Sequence, residues 1–333
     1  MGGLRDQARQ HRKTVTAGVI FGIAIGLCAG AAVAFFYKSP PSASPLRSPL
    51  SSTQASAPPL LAASDCADTG INAAEAEKAF SLRVESEGVT LNRALEEKLA
   101  VGTTRTYAQW QEWLGDGALR QSQINIRFVG DARRFREIYG KPNGEAWTTT
   151  GFYRMRSNEA LILYTPAYRG SALGNAFHEI SHLITARHLG ATPPWLNEGL
   201  AEHYESLEVK GSNARFTSNA DHLRLLQRRG AVSVDTLTTL SQQEWMGEDA
   251  ERRYASAWAL IAFLLETPAG AETLKGTVLT AYAGRCDSRR DLRVTLEDYP
   301  GGTASLQEDW QAWLSRRYTR LPHTREITAD GSL

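Results

Sequence analysis

Two histidines four residues apart, in the run His178-Glu179-Ile180-Ser181-His182, constrain this chain more than any other stretch. On an α-helix, residues i and i+4 stand one turn apart on the same face, so both imidazoles can reach one ion. Glu179 lies beside them, placed to take a proton from water held by that ion. Downstream, Trp195-Leu196-Asn197-Glu198-Gly199-Leu200-Ala201-Glu202 adds a carboxylate at Glu198. A hydrolytic zinc site takes three protein ligands and keeps a fourth position open. Two neutral imidazoles and one carboxylate leave the ion enough positive charge to acidify water. These residues point to a zinc hydrolase in which His178, His182 and Glu198 bind Zn2+ and Glu179 is the general base.

The local sequence supplies helices to carry them. Ser171 is a suitable N-cap, Gly190 a suitable terminator, and Pro193-Pro194 bars continuation, which predicts a helix over 171–189. Leu173, Phe177, Ile180 and Ile184 form its buried stripe, with His178 and His182 at the edge of that stripe, where a cleft can reach them. Pro193 or Pro194 opens a second helix carrying Glu198, Ala201, Glu202 and Glu205. His11, His188, His222 and His323 have no partner at ligand spacing and read as surface or core histidines. His203 reads as structural or as part of a cleft rim.

The motif and its downstream segment together resemble the gluzincin metallopeptidases. Trp195-Leu196-Asn197-Glu198-Gly199 is especially similar to the zinc aminopeptidases related to leukotriene hydrolase. The element order, with Gly151-Phe152-Tyr153 ahead of the histidine helix, resembles more closely the bacterial peptidase-MA-like family, largely of unknown function. The likeness covers about residues 120–316 and is specific over 177–202. It implies the same ligand set and the same base. It also implies that Glu202 hydrogen-bonds the far nitrogen of His178, that Asn197 supports the ligand set, and that Tyr254 donates to the developing oxyanion. The chain lacks the Gly-x-Met-Glu-Asn segment with which those aminopeptidases recognise a free amino terminus, and its interval from His182 to Glu198 is shorter. An endopeptidase or a narrow-specificity hydrolase is therefore expected, with Gly151-Phe152-Tyr153 either pairing with an extended peptide substrate or lying inside the sheet. The rival from another class is a catalytically silent relative that binds proteins at the envelope. A purely structural zinc site is disfavoured, since such sites fill all four positions.

Ahead of this lies an uncharged run, residues 14–37, long enough to cross a hydrocarbon core as a helix. Arg5, Arg9, Arg12 and Lys13 precede it, which predicts a cytoplasmic tail over 1–13 and a periplasmic or extracellular remainder. A cleaved signal peptide is the alternative, because residues 29–34 are small. Gly18, Gly22, Gly26 and Gly30 line one face of the run, a pattern that allows self-association in a membrane. Residues 38–64, rich in Pro, Ser and Ala, read as an extended linker. The whole chain carries a net charge of +1, and with the basic N-terminal flank set aside the globular part is mildly acidic. That excludes the electrostatic footprint of a nucleic-acid partner. In an oxidising compartment Cys66 and Cys286 are expected to pair, the alternative being two buried thiols.

The expected fold is α+β: a mostly helical, zincin-like domain over 65–320 with a small mixed sheet, preceded by one transmembrane helix and followed by a polar tail over 321–333. Helices are predicted over 72–101 and 107–119, a strand over 123–129, a short helix over 132–139, strands over 147–155 and 160–164 joined at Ser157-Asn158, and C-terminal helices over 250–266, 271–283 and 304–317.

Overall fold

The computed structural model of the chain describes residues 80–115, 118–140, 149–154, 157–287 and 290–321. The expected membrane run, the linker, Cys66 and nearly all of the polar tail lie outside these residues. Among the described residues no helix is long and apolar enough to cross a membrane. The architecture is mixed α+β, with mostly helical content around one small mixed sheet.

The first described element overturns an expectation. Residues 80–87, predicted as helix, form strand β1 (Phe80–Glu87). Phe80, Leu82 and Val84 alternate with Ser81, Arg83 and Glu85, a period of two that suits a sheet and not a helix. The predicted break between two helices is also absent, because α1 (Arg93–Leu114) runs without interruption. Asn92 caps it through a bond accepted from the Leu95 N–H. Its glycine is a packing device: a Cβ on Gly102 would stand 2.0 Å from Cζ of Phe177. Nearby, the hydroxyls of Thr103 and Thr106 donate to the carbonyls of Leu99 and Gly102 inside the helix.

Strand β2 (Ser122–Val129), helix α2 (Ala132–Tyr139), and strands β3 (Gly151–Arg154) and β4 (Glu159–Leu163) follow. The sheet order is β1-β2-β4-β3; β2 runs parallel to β1 and β4, and β3 is antiparallel to β4 at the edge. Asn158, in the turn between β3 and β4, adopts a positive φ of 48°, which Asn tolerates better than most residues. Every residue of β4 is buried, as expected of a strand covered on both faces. One cover is α2, whose Phe135 joins Phe152, Leu161 and Leu163 in a small apolar cluster. The other is the large core, into which α3 (Ala172–Leu189) and α4 (Pro194–Glu205) pack.

Ser171 precedes α3 but makes no side-chain cap; its hydroxyl donates to the Tyr168 carbonyl instead. The other end of α3 is held from a distance. Arg290 donates to the carbonyls of Leu189 and Ala191, which lack partners within the helix. Cys286, four residues before Arg290, is half of a disulfide, and its expected partner Cys66 lies outside the described residues.

After α4 comes a hairpin that the sequence did not announce, β5 (Leu207–Lys210) and β6 (Asn213–Phe216). Then follow α5 (Ala220–Arg229), α6 (Val234–Thr239), α7 (Gln242–Trp245), α8 (Ala250–Glu266), α9 (Pro268–Ala283), a 3-10 segment (Leu292–Asp298) and α10 (Gly302–Tyr318). The three long C-terminal helices match their predicted spans closely. Trp310 of α10 is fully buried, and Trp313 packs edge-on to Phe263 while donating to Glu266.

His188 is a core residue, as its spacing suggested. Its Nε2 accepts from the Arg120 N–H, its Nδ1–H donates to the Ile184 carbonyl, and its ring stacks on Trp110. Burial pushes its pKa down to about 4. His203, buried against Phe216, is pushed down to about 3 by burial and then by Arg105. A depressed folded-state pKa means that the unfolded chain takes up the proton first. The stability these rings contribute is thus present above the ordinary histidine range and is lost as pH falls through the folded values.

Two outcomes are expected. Gly102→Ala lowers stability by about 1–3 kcal/mol through overpacking, and Phe177→Leu in the same chain recovers part of the loss; denaturant unfolding of the single and double variants measures both. Thermal melts from pH 7 to pH 4 show a falling midpoint, with His188 contributing on the order of 3 kcal/mol; His188→Gln flattens that fall relative to the parent chain.

Candidate metal centre

Helix α3 lies against β3 and β4 on one side and α4 on the other. It presents His178 and His182 on one face, with ring centroids 4.9 Å apart and planes nearly perpendicular. Pro194 at the first helical position starts α4, and the extended Pro193 ahead of it turns the chain back along α3. Glu198 thereby arrives with Oε2 3.6 Å from His178 Nε2 and 3.5 Å from His182 Nε2. The three donor atoms lie within 4.8 Å of one another and could hold a metal ion.

Bond lengths decide whether the set fits zinc. With bonds of ~2.0–2.1 Å, tetrahedral coordination places ligand atoms roughly 3.3–3.4 Å apart. The two nitrogen-to-oxygen edges are within about 0.3 Å of that spacing. The donor chemistry agrees, since imidazole and carboxylate are common zinc ligands, and three donors leave a fourth position for water. Asn197 donates from Nδ2 to Oε1 of Glu198, which leaves Oε2 turned toward the imidazoles. Glu198 and His178 are buried, while the His182 side chain stays 15% exposed. The open side of the cluster is therefore on the His182 flank.

Electrostatics favour a cation here. Glu179, Glu198, Glu202 and Glu205 all lie in or beside this interior. Buried carboxylates need compensating positive charge, from a bound cation or from protons on the imidazoles.

The tail of α4 departs from the sequence expectation in one respect. Glu202 does approach His178, with Oε1 3.5 Å from Nδ1. The closer partner is Glu205, whose Oε2 is 2.9 Å from the same nitrogen. Glu202 Oε2 instead meets Nε2 of His222 on α5 at 2.8 Å. His222, read as a core or surface histidine, is buried and tied to the cluster. No spacing rule could place it, because α5 reaches α4 only through tertiary packing. Glu205 could have been noticed, since it lies on the same α4 face as Glu198 and Glu202.

Glu179 faces the sheet edge. A Cβ on Gly151 of β3 would lie 3.0 Å from its Oε1, so the absence of a side chain there makes room for this carboxylate. Asn175, one turn earlier on α3, donates to the Thr150 hydroxyl and fastens helix to strand. Tyr139, at the end of α2, packs edge-on to Phe152. Burial, and then the negative charge of Glu179, push its hydroxyl up to about 12, so it stays protonated as a donor near that carboxylate. The family resemblance points instead to Tyr254. That residue lies in the second turn of α8, half-buried, with its ring edge-on to Trp245 at 5.6 Å.

Among proteins of known sequence families, residues 175–274 match the family described as a protein of unknown function, DUF1570. The match begins in α3, covers both halves of the candidate centre and ends in α9. No curated protein matches the chain.

The seat of Glu198 depends on a close helix crossing. A Cβ on Gly199 would lie 2.8 Å from Ile261 Cγ1 and 3.0 Å from the Ala257 carbonyl of α8. Gly199→Ala is accordingly expected to cost about 1–3 kcal/mol and, by shifting α4, to weaken the hold of the candidate centre on an added metal ion. Thermal unfolding and a competitive chelator titration on the same preparation measure the two effects.

Proposed function

We propose that this chain is a zinc-dependent peptidase of gluzincin type, anchored in a membrane through residues 14–37, with its metal centre on the periplasmic or extracellular side. Two nitrogen-to-oxygen distances close to the edge of a zinc tetrahedron, within a cluster of three donor atoms, are the observation that carries the reading. The family match at residues 175–274 spans the same centre and brings no activity with it.

When bound, a zinc ion acidifies its water and polarises a carbonyl. His178, His182 and Glu198 would hold it. Glu179 accepts the proton from water as attack on the peptide carbonyl begins, then returns it to the leaving amine. Its place beside Gly151 puts this base at the edge strand of the sheet, where an extended chain could lie along β3. Tyr139 supplies a protonated phenol on the same side. Asn197 keeps Glu198 oriented.

The full-length chain is expected to bind about one zinc per molecule and to cleave members of a peptide library in a chelator-sensitive way. Glu179→Gln retains the metal and loses cleavage by at least ~100-fold. Metal analysis alongside library profiling gives both readouts. A variant that cleaves as fast as the parent removes Glu179 from its role. A parent chain that binds zinc but cleaves nothing turns the reading toward a protein-binding module.

A further inference from the structure

The far nitrogen of His178 has two carboxylates within reach and cannot be served equally by both. Glu205 stands at 2.9 Å and Glu202 at 3.5 Å. Glu202 is drawn the other way, by the 2.8 Å contact between its Oε2 and His222 Nε2. His222 is itself held firmly. It lies in the first turn of α5, its backbone N–H donates to the capping Asn219, and its ring packs against Trp258. Glu205 gains its place through Gly174 on α3, one turn before His178. A Cβ there would meet the Glu205 carbonyl at 3.0 Å and its Cγ at 3.2 Å. The Nδ1 atoms of the two imidazoles are also treated differently. His178 Nδ1 is clamped, whereas His182 Nδ1 is buried with no hydrogen-bond partner among the described residues.

We propose that Glu205 is the positioning residue that fixes His178 for metal binding, and that His222 restrains Glu202 from that role, linking α5 to the metal centre. The proposal rests on the metal reading above and deepens it. An N–H···carboxylate bond at Nδ1 sets the tautomer that leaves Nε2 free to coordinate, and it raises the donor strength of the ring. Because only one imidazole has such an anchor, His178 holds the ion firmly while His182 adapts. Glu202 is kept in reserve: its Oε1 is already close to Nδ1, and His222 holds its other oxygen.

Zinc affinity of the full-length chain, measured by chelator competition, tests this. Glu205→Ala is expected to weaken binding 10- to 100-fold, with Glu205→Gln, which keeps an acceptor oxygen, recovering part of the loss. Glu202→Ala changes affinity less than about fivefold, below the 10–100-fold range for a ligand's anchor. Adding His222→Ala to Glu205→Ala restores affinity several-fold, because the released Glu202 reaches Nδ1; a merely structural role for His222 gives a further loss instead. In the zinc-loaded chain, the downfield proton resonance of His178 Nδ1–H survives in Glu202→Ala and disappears in Glu205→Ala. The reverse pattern of affinities or of this resonance overturns the proposal, as does a further loss in the double variant. Absence of zinc binding by the parent chain would instead overturn the metal reading itself.

Discussion

The candidate centre exists because α3 and α4 approach closely enough for a carboxylate on one to stand 3.5–3.6 Å from imidazole nitrogens on the other. Two glycines permit this. Gly174 lets the end of α4 lie over the first turns of α3, and Gly199 lets α8 press α4 from behind. A methyl group at either position would push on backbone atoms, which cannot rotate away as a side chain can. The arrangement also gathers carboxylates where water is scarce, a cost that a bound cation would offset directly.

Every group in the cluster sits on a helix or against a strand, and none depends on a long loop. Helix α3 is held along its length: Phe177 packs into the notch at Gly102 of α1, Asn175 is bonded to Thr150 beside β3, and Arg290 holds the carbonyls at its C-terminal end. Rigid seating of this kind holds the donor atoms close together, so that a bound ion would require less ordering of the site. The edge position of β3 has a second consequence. Glu179 is buried, yet it lies beside β3, which is an edge strand of the sheet among the described residues.

Much of the secondary structure could be read from local pattern. The strand over 122–129, the short helix capped by Asp131, the histidine helix ending before Gly190 and the long C-terminal helices all carry strong periodicity or strong terminators. The failures have physical causes. Phe80–Glu87 is half-exposed and charged, and its alternation was overshadowed by the helical pattern that follows it. The interval left between the two predicted helices, 102–106, holds Gly102, whose lack of a side chain makes room for Phe177 inside one continuous helix. The hairpin at Leu207–Phe216 has four-residue strands, too short for any period to register.

The pairing of His178 with His182 was legible because an i, i+4 relation on one helix survives any tertiary arrangement; Glu198 was legible only as a candidate carboxylate, and the approach of α3 and α4 brings it to the imidazoles. Asn197 entered through the family resemblance, and its Nδ2 does donate to Glu198 Oε1. What the sequence could not determine was which carboxylate would serve His178, or that His222 would take part. Those outcomes depend on the distance and angle between α3, α4 and α5, which are set by packing at Gly174, Gly199 and Trp258. Short-range pattern encodes which face a side chain occupies; only the packed interior decides which of two glutamates on that face is 2.9 Å from a ring nitrogen and which is 3.5 Å.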